Sequence, residues 1–149
     1  MKKETIIYFA YGANLNLDDM KVHCPGYTPL ARARLLDHRL VFRGVADIEF
    51  RAFETVQGAL YHITLAHLAA LDRFEGCPRL YIRKTIPVII EDDRKVQAVV
   101  YQMTDRNQYA RPSQGYLNSI LTGCRQWQLP EEYIQDIITR SKEPDYGES

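Results

Sequence analysis

Apolar and polar positions along this chain fall into short blocks whose period changes from two to about four. Thr5 to Tyr11 (TIIYFAY) is β-branched and aromatic and stops at Gly12, the pattern of a buried strand. Asn16-Leu17-Asp18-Asp19 then marks a helix start, with Asn16 able to cap and two acids in the first turn, where the helix dipole favours them. Pro25 and Pro29 bracket a loop, and Ala31 to Phe42 holds one or two strands. Ala46 to Thr55 mixes polar and aromatic residues without a clean period and reads as a loop or an edge strand. Gln57 to Ile63 is a further strand. Thr64 is placed to cap a short helix, Leu65 to Glu75, closed by Gly76. Leu80 to Ile90 and Lys95 to Met103 read as a hairpin around Glu91-Asp92-Asp93, with Pro87 implying an edge or a bulge. Ser113 can cap a helix from Tyr116 to Trp127, and Pro130 suits the first turn of a last helix ending near Ser141. The order, mainly strands first and helices last, predicts an α+β fold and not a doubly wound alternation. A single domain over residues 1–142 is expected, with 143–149 a flexible tail.

Charge narrows the partners. Lysine and arginine number 19, matched by 19 aspartates and glutamates, and the basic residues are scattered. A balanced chain without a basic patch gives no electrostatic reason to bind nucleic acid or an anionic membrane. Apolar runs are too short to span a bilayer, and the Met1-Lys2-Lys3-Glu4 start lacks the features of a signal peptide. Three widely spaced cysteines (Cys24, Cys77, Cys124) do not form a disulfide framework, so free thiols in a reducing, cytoplasmic compartment are expected. The four histidines make no ligand-spaced pair with each other or with cysteine, and no metal is expected.

Four groups could carry chemistry. The turn Tyr11-Gly12-Ala13-Asn14-Leu15 leaves a strand just before a helix start and can expose backbone N–H groups to an anion. Gly12 is expected either to take positive φ or to let a ligand approach closely. An ordinary strand-to-helix turn explains the same residues. Glu75 shares a helix face with Leu68 and Leu71 and so points inward, and it lies in the last turn, where the dipole disfavours its charge. Both effects raise a carboxyl pKa toward the range of a proton shuttle. A glutamate that reaches solvent or pairs with Arg73, Arg79 or Arg83 is the competing reading, and Asp72 is the rival acid. Cys77, with His67 one helix length away, could be a nucleophile, but contact would need a sharp reversal, and a small filler residue accounts for it more simply. Of the ten tyrosines, Tyr8, Tyr11, Tyr81, Tyr101 and Tyr116 could line a polar pocket; strand packing is the alternative.

Together these segments resemble one family. Tyr8-Phe9-Ala10-Tyr11-Gly12-Ala13-Asn14-Leu15 is similar to the YFAYGSNL signature of γ-glutamylcyclotransferases, with Ala13 where the signature has Ser. Leu71-Asp72-Arg73-Phe74-Glu75-Gly76 resembles their LDxxEG segment, and Tyr101-Gln102-Met103-Thr104 their YxMT strand end. Pro112-Ser113-Gln114-Gly115-Tyr116 resembles a PSxxY segment, and Gly123 with Leu129-Pro130-Glu131-Glu132-Tyr133 the ending of the domain. The resemblance runs in order from about residue 6 to about residue 138. It implies a small mixed β-barrel or curled sheet with flanking helices, and release of 5-oxoproline and a free amine from a small γ-glutamyl substrate. It further implies Glu75 as general acid/base, a substrate site drawn from Tyr8 to Leu15 with Tyr81, Tyr101 and Tyr116, and no cofactor. A homodimer is compatible with it. A non-catalytic binder of amino-acid-like ligands and a Cys77-dependent γ-glutamyl hydrolase or transferase are the alternatives.

Overall fold

The computed structural model describes residues 5–105 and 108–143. The predicted flexible tail lies, apart from Glu143, outside the described residues. Among the described residues five strands close a barrel in the order β1-β3-β2-β4-β5, with four α-helices outside it. The strands are β1 (Ile6–Ala10), β2 (Thr28–Phe42), β3 (Ala46–Ile63), β4 (Tyr81–Ile90) and β5 (Lys95–Met103). The helices are α1 (Leu17–His23), α2 (Leu65–Glu75), α3 (Gln114–Gln126) and α4 (Glu131–Ser141). Every neighbouring pair is antiparallel except β1 with β5, which run parallel through Tyr8 and Val99 and complete the closure.

The helix ends follow from local chemistry. Asn16 Oδ1 accepts from the N–H groups of Asp18 and Asp19, satisfying two of the donors that a helix start leaves without partners. Thr64 and His67 cap α2 reciprocally, and Gly76 ends it in the left-handed conformation at φ 70°. Ser113 caps α3 through the Tyr116 N–H.

Long-range pairing decides two expectations. Ala46 to Thr55 is strand and not loop: it is the first half of β3, which runs unbroken to Ile63, and here it pairs with β2 on one side only, as an edge does, because β1 meets β3 at residues 59–63. Its pattern is obscured because the register slips between Leu36 and His38, throwing Phe50 and Phe53 into solvent at 69% and 96% exposure. The bulge is held by the Phe53 N–H donating to Asp37 Oδ1 at 3.0 Å, with positive φ at both residues. Pro29 lies within β2, beside a second register shift, where its missing N–H is tolerated.

The core fills the barrel and the seams beneath the helices. β1 and β3 approach so closely at Gly58 that a Cβ there would lie 2.3 Å from the Ala10 carbonyl oxygen. α3 docks as tightly on the segment after β1: a Cβ on Gly123 would lie 2.5 Å from the Asn16 nitrogen. These contacts fix the turn that leaves β1, and that turn forms one wall of a cavity.

Candidate active site

A cavity of about 230 Å³ opens between the turn after β1, the C-terminal end of α2, and the starts of β3 and β4. From the turn side it is lined by Tyr8, Phe9, Tyr11, Gly12, Ala13 and Asn14, and from β4, β5 and α3 by Tyr81, Tyr101 and Tyr116. Glu75 faces it from the last residue of α2. Ala10 and Leu15 do not line it. Both are core residues, 1% and 0% exposed, Ala10 pressed on Gly58 and Leu15 on Gly123. Val45, Ala46, Phe74 and Leu80 line the cavity and were not expected. Phe74 adjoins Glu75 in sequence and could have been suspected; Ala46 was concealed in the segment read as loop or edge.

The turn is clamped on several sides. The residues Ala13–Leu15 form one 3₁₀ turn, closed by the Leu15 N–H to the Gly12 carbonyl and the Asn16 N–H to the Ala13 carbonyl. The Tyr61 hydroxyl donates to the Asn14 carbonyl at 2.8 Å, and Trp127 Nε1 to the Leu15 carbonyl at 3.1 Å. Asn14 turns its side chain inward, Nδ2 donating to the Tyr8 hydroxyl at 3.1 Å and Oδ1 lying 2.9 Å from His23 Nδ1. The leading N–H groups of such a turn have no partner within it. Gly12 has φ −117°, so positive φ is not its role. A Cβ there would stand 3.2 Å from the Ala46 Cβ and 3.4 Å from the Tyr116 hydroxyl, so glycine keeps the wall thin where three elements converge.

The tyrosine hydroxyls divide into committed and uncommitted donors. Tyr11 donates to the Tyr101 carbonyl at 2.6 Å, Tyr81 to the Ala46 carbonyl at 2.8 Å, and Tyr101 to Asp72 Oδ1 at 2.6 Å. Tyr8 and Tyr116 only accept, from Asn14 Nδ2 and from the Ala46 N–H at 2.9 Å. Ala46 therefore holds two cavity tyrosines through its own backbone. The next residue, Asp47, is fully buried, receiving the Met103 N–H and the Arg43 guanidinium.

The two acids of α2 are separated by their partners. Asp72 accepts from Arg83 Nε at 2.8 Å and from the Tyr101 hydroxyl, which commits its carboxylate to holding β4 and β5. Glu75 makes no hydrogen bond or ion pair with any described residue, and Arg83, one of its expected partners, is engaged by Asp72. Burial raises the Glu75 carboxyl from its usual value near 4.5 to about 7. Its charge is felt across the cavity: burial, and secondarily Glu75, holds the Tyr8 phenol well above its usual range, and burial with Glu75 lifts Tyr116 to about 12. An uncommitted carboxyl near neutrality, beside two phenol protons without acceptors, can accept, hold and return a proton.

Cys77 does not line this cavity, and His67 is spent on the Thr64 N–H and the Pro25 carbonyl. Among the described residues no three His, Cys, Asp or Glu side chains gather as a metal-holding group, and no helix is long and apolar enough to cross a membrane.

The sequence model of the AIG2-like family matches residues 55–137. The chain belongs to the AIG2-like family. The matched span carries Glu75, Tyr81, Tyr101 and Tyr116 of the cavity, whereas the turn after β1 lies before it. The mouse protein named gamma-glutamylcyclotransferase is 29% identical to this AIG2-like chain over 147 residues, covering 90% of the chain and 78% of the mouse protein. The bovine protein of the same name is 28% identical over the same length and coverage. A solved structure described as a gamma-glutamyl cyclotransferase superposes with a TM-score of 0.87 at 25% identity, covering 98% of this chain and 93% of that one. The barrel with flanking helices is therefore the fold that the sequence implied.

Proposed function

We propose that this protein is a γ-glutamylcyclotransferase: it closes γ-glutamyl compounds on themselves, releasing 5-oxoproline and a free amine, with Glu75 moving the protons. One observation carries the reading. Glu75 presents to the cavity a carboxyl that burial raises to about 7 and that no described residue engages. The names of the mouse and bovine relatives support the same reaction.

The chemistry asks little of the protein. The substrate carries its own nucleophile, the α-amine, placed to close a five-membered ring on the γ-carbonyl carbon. Well-oriented intramolecular attacks reach effective molarities of about 10⁵–10⁸ M. Glu75, as carboxylate, takes a proton from the α-ammonium, and the freed amine attacks the γ-carbonyl carbon. The tetrahedral oxygen gathers negative charge, which the uncommitted hydroxyl of Tyr8 or Tyr116, or the leading N–H groups of the Gly12–Asn14 turn, would stabilise. Glu75 returns its proton to the amide nitrogen, the C–N bond breaks, the carbonyl re-forms and the amine leaves; the ring nitrogen, cationic after its attack, sheds a second proton, which Glu75 passes to the departing amine so that it leaves as an ammonium. Protons balance within one turnover, and water is not consumed. Ala13 serves this scheme through its backbone.

Oxygen labelling tests the reaction. Turnover of a γ-glutamyl substrate in ¹⁸O-water should give unlabelled 5-oxoproline and one amine per cycle, and the N-acetylated substrate should be inert. Labelled glutamate as the main product would overturn the reading in favour of a hydrolase.

A further inference from the structure

One hydrogen-bonded chain reaches the cavity from outside it. It starts at His23, the last residue of α1, which does not line the cavity. His23 Nδ1 lies 2.9 Å from Asn14 Oδ1, and Asn14 Nδ2 lies 3.1 Å from the Tyr8 hydroxyl. Asn14 and Tyr8 are each 4% exposed, so bulk water does not complete their bonds. A carboxamide oxygen only accepts and a carboxamide nitrogen only donates. The direction of the whole chain therefore follows from its first member. With the proton on Nδ1, His23 donates to Asn14 Oδ1, Asn14 Nδ2 donates to the Tyr8 oxygen, and the Tyr8 proton is left for the cavity. With the proton on Nε2 alone, the Asn14 amide turns over, donates to His23 and receives the Tyr8 proton. The cavity then meets a phenol lone pair, which repels the oxyanion that cyclisation creates.

Tyr116 needs no such device. Its hydroxyl accepts from the Ala46 N–H, a planar peptide group that cannot reverse. At Tyr8 the partner is a side-chain amide, which can. The imidazole that faces this amide is held in place. It is half-buried, and its face lies on Phe74, the residue before Glu75, with ring centres 3.7 Å apart. Burial lowers its pKa from the ordinary 6.5, against a smaller opposing effect of Asp19, so near neutral pH the ring is mainly uncharged and carries one proton. Which nitrogen carries that proton is set by the bonds the ring makes.

We propose that His23 is a positioning residue for the reaction: by donating from Nδ1 it orients the Asn14 amide, and so turns the Tyr8 proton toward the oxygen on which negative charge develops. This rests on the cyclisation reading, and it makes Tyr8 a donor to the tetrahedral oxygen.

The experiment follows 5-oxoproline release from γ-glutamyl-alanine and γ-glutamyl-butylamide. It uses the native protein, His23→Phe, His23→Arg, Tyr8→Phe, and Tyr8→Phe combined with His23→Phe. His23→Phe keeps a ring over Phe74 and removes the donor. Its kcat should fall by about tenfold with KM within about twofold, part of the roughly 10²–10³ that losing an oxyanion donor costs. His23→Arg donates and cannot accept, so it should keep kcat within about threefold. In the Tyr8→Phe background His23→Phe should lower kcat no further, because the group it positions is gone. A role in packing alone would lower kcat by the same factor in both backgrounds and would overturn the proposal. An unchanged kcat in folded His23→Phe or Tyr8→Phe would overturn it too, as would a His23→Arg variant as impaired as His23→Phe. ¹⁵N NMR of the native protein at pH 8 reads the imidazole without any variant: the His23 proton should sit on Nδ1, and a proton on Nε2 would overturn the proposal. Each of these results, obtained with an active native protein, leaves the cyclisation reading intact. If the native protein releases 5-oxoproline from neither compound, that reading fails and the proposal fails with it.

Discussion

Glu75→Gln separates the catalytic role of the cavity acid from its effect on stability, and the two should move in opposite directions. The change keeps side-chain shape and removes the titration. Because burial raises the folded carboxyl from about 4.5 to about 7, the native state binds this proton more tightly than the unfolded chain does. Between those values the folded protein holds more protons, so stability falls as pH rises from about 4.5 and levels off above about 7. At about 1.4 kcal/mol per tenfold change in proton affinity, the full loss is about 3 kcal/mol, an upper figure because part of the carboxyl is reached by water. Glu75→Gln never ionises and escapes the loss. It should match the native protein at pH 4 and exceed it at pH 8, by several degrees in Tm for a chain of this length. Its kcat should nevertheless fall by about 10² or more, the usual scale for losing a general base, and kcat/KM should lose its ascending limb near pH 7. Calorimetry at the two pH values and 5-oxoproline release across the pH range read both effects. A variant that keeps most of its kcat, or that gains no stability at pH 8, would refute the assignment of a buried, proton-shuttling Glu75.

Other substitutions probe the surrounding wall. Asp72→Asn weakens the hold on Tyr101 and Arg83, so activity should fall well short of the loss in Glu75→Gln; an equal loss in a folded variant would make Asp72 the shuttle. Gly12→Val drives methyl groups toward Ala46 and the Tyr116 hydroxyl, so in protein that keeps the native circular dichroism KM should rise by about tenfold or more. Cys77→Ala should keep kcat within about twofold, because the thiol does not line the cavity; abolished activity in a folded variant would restore the acyl-enzyme reading.

What the sequence determined by itself is what acts over a few residues. The caps at Asn16, Thr64 and Ser113, the stop at Gly76 and the turn of the β4–β5 hairpin are all set by groups at most four residues from the bonds they make, and all were legible. Glu75 was legible for the same reason, since a helix face is a local property and Leu68 and Leu71 show which face is buried. Tertiary structure decided the rest. The first half of β3 looks irregular alone because its order comes from pairing with β2, across a bulge that displaces Phe50 and Phe53. Ala46 has no chemical signature, yet its peptide group holds Tyr81 and Tyr116 from elements 35 and 70 residues away. Asp72 and Glu75 are three residues apart on one helix and equivalent by composition. Only the arrival of Arg83 and Tyr101 on neighbouring strands commits one carboxylate and leaves the other without a partner among the described residues, because a hydrogen-bond partner is a matter of position in space and not along the chain.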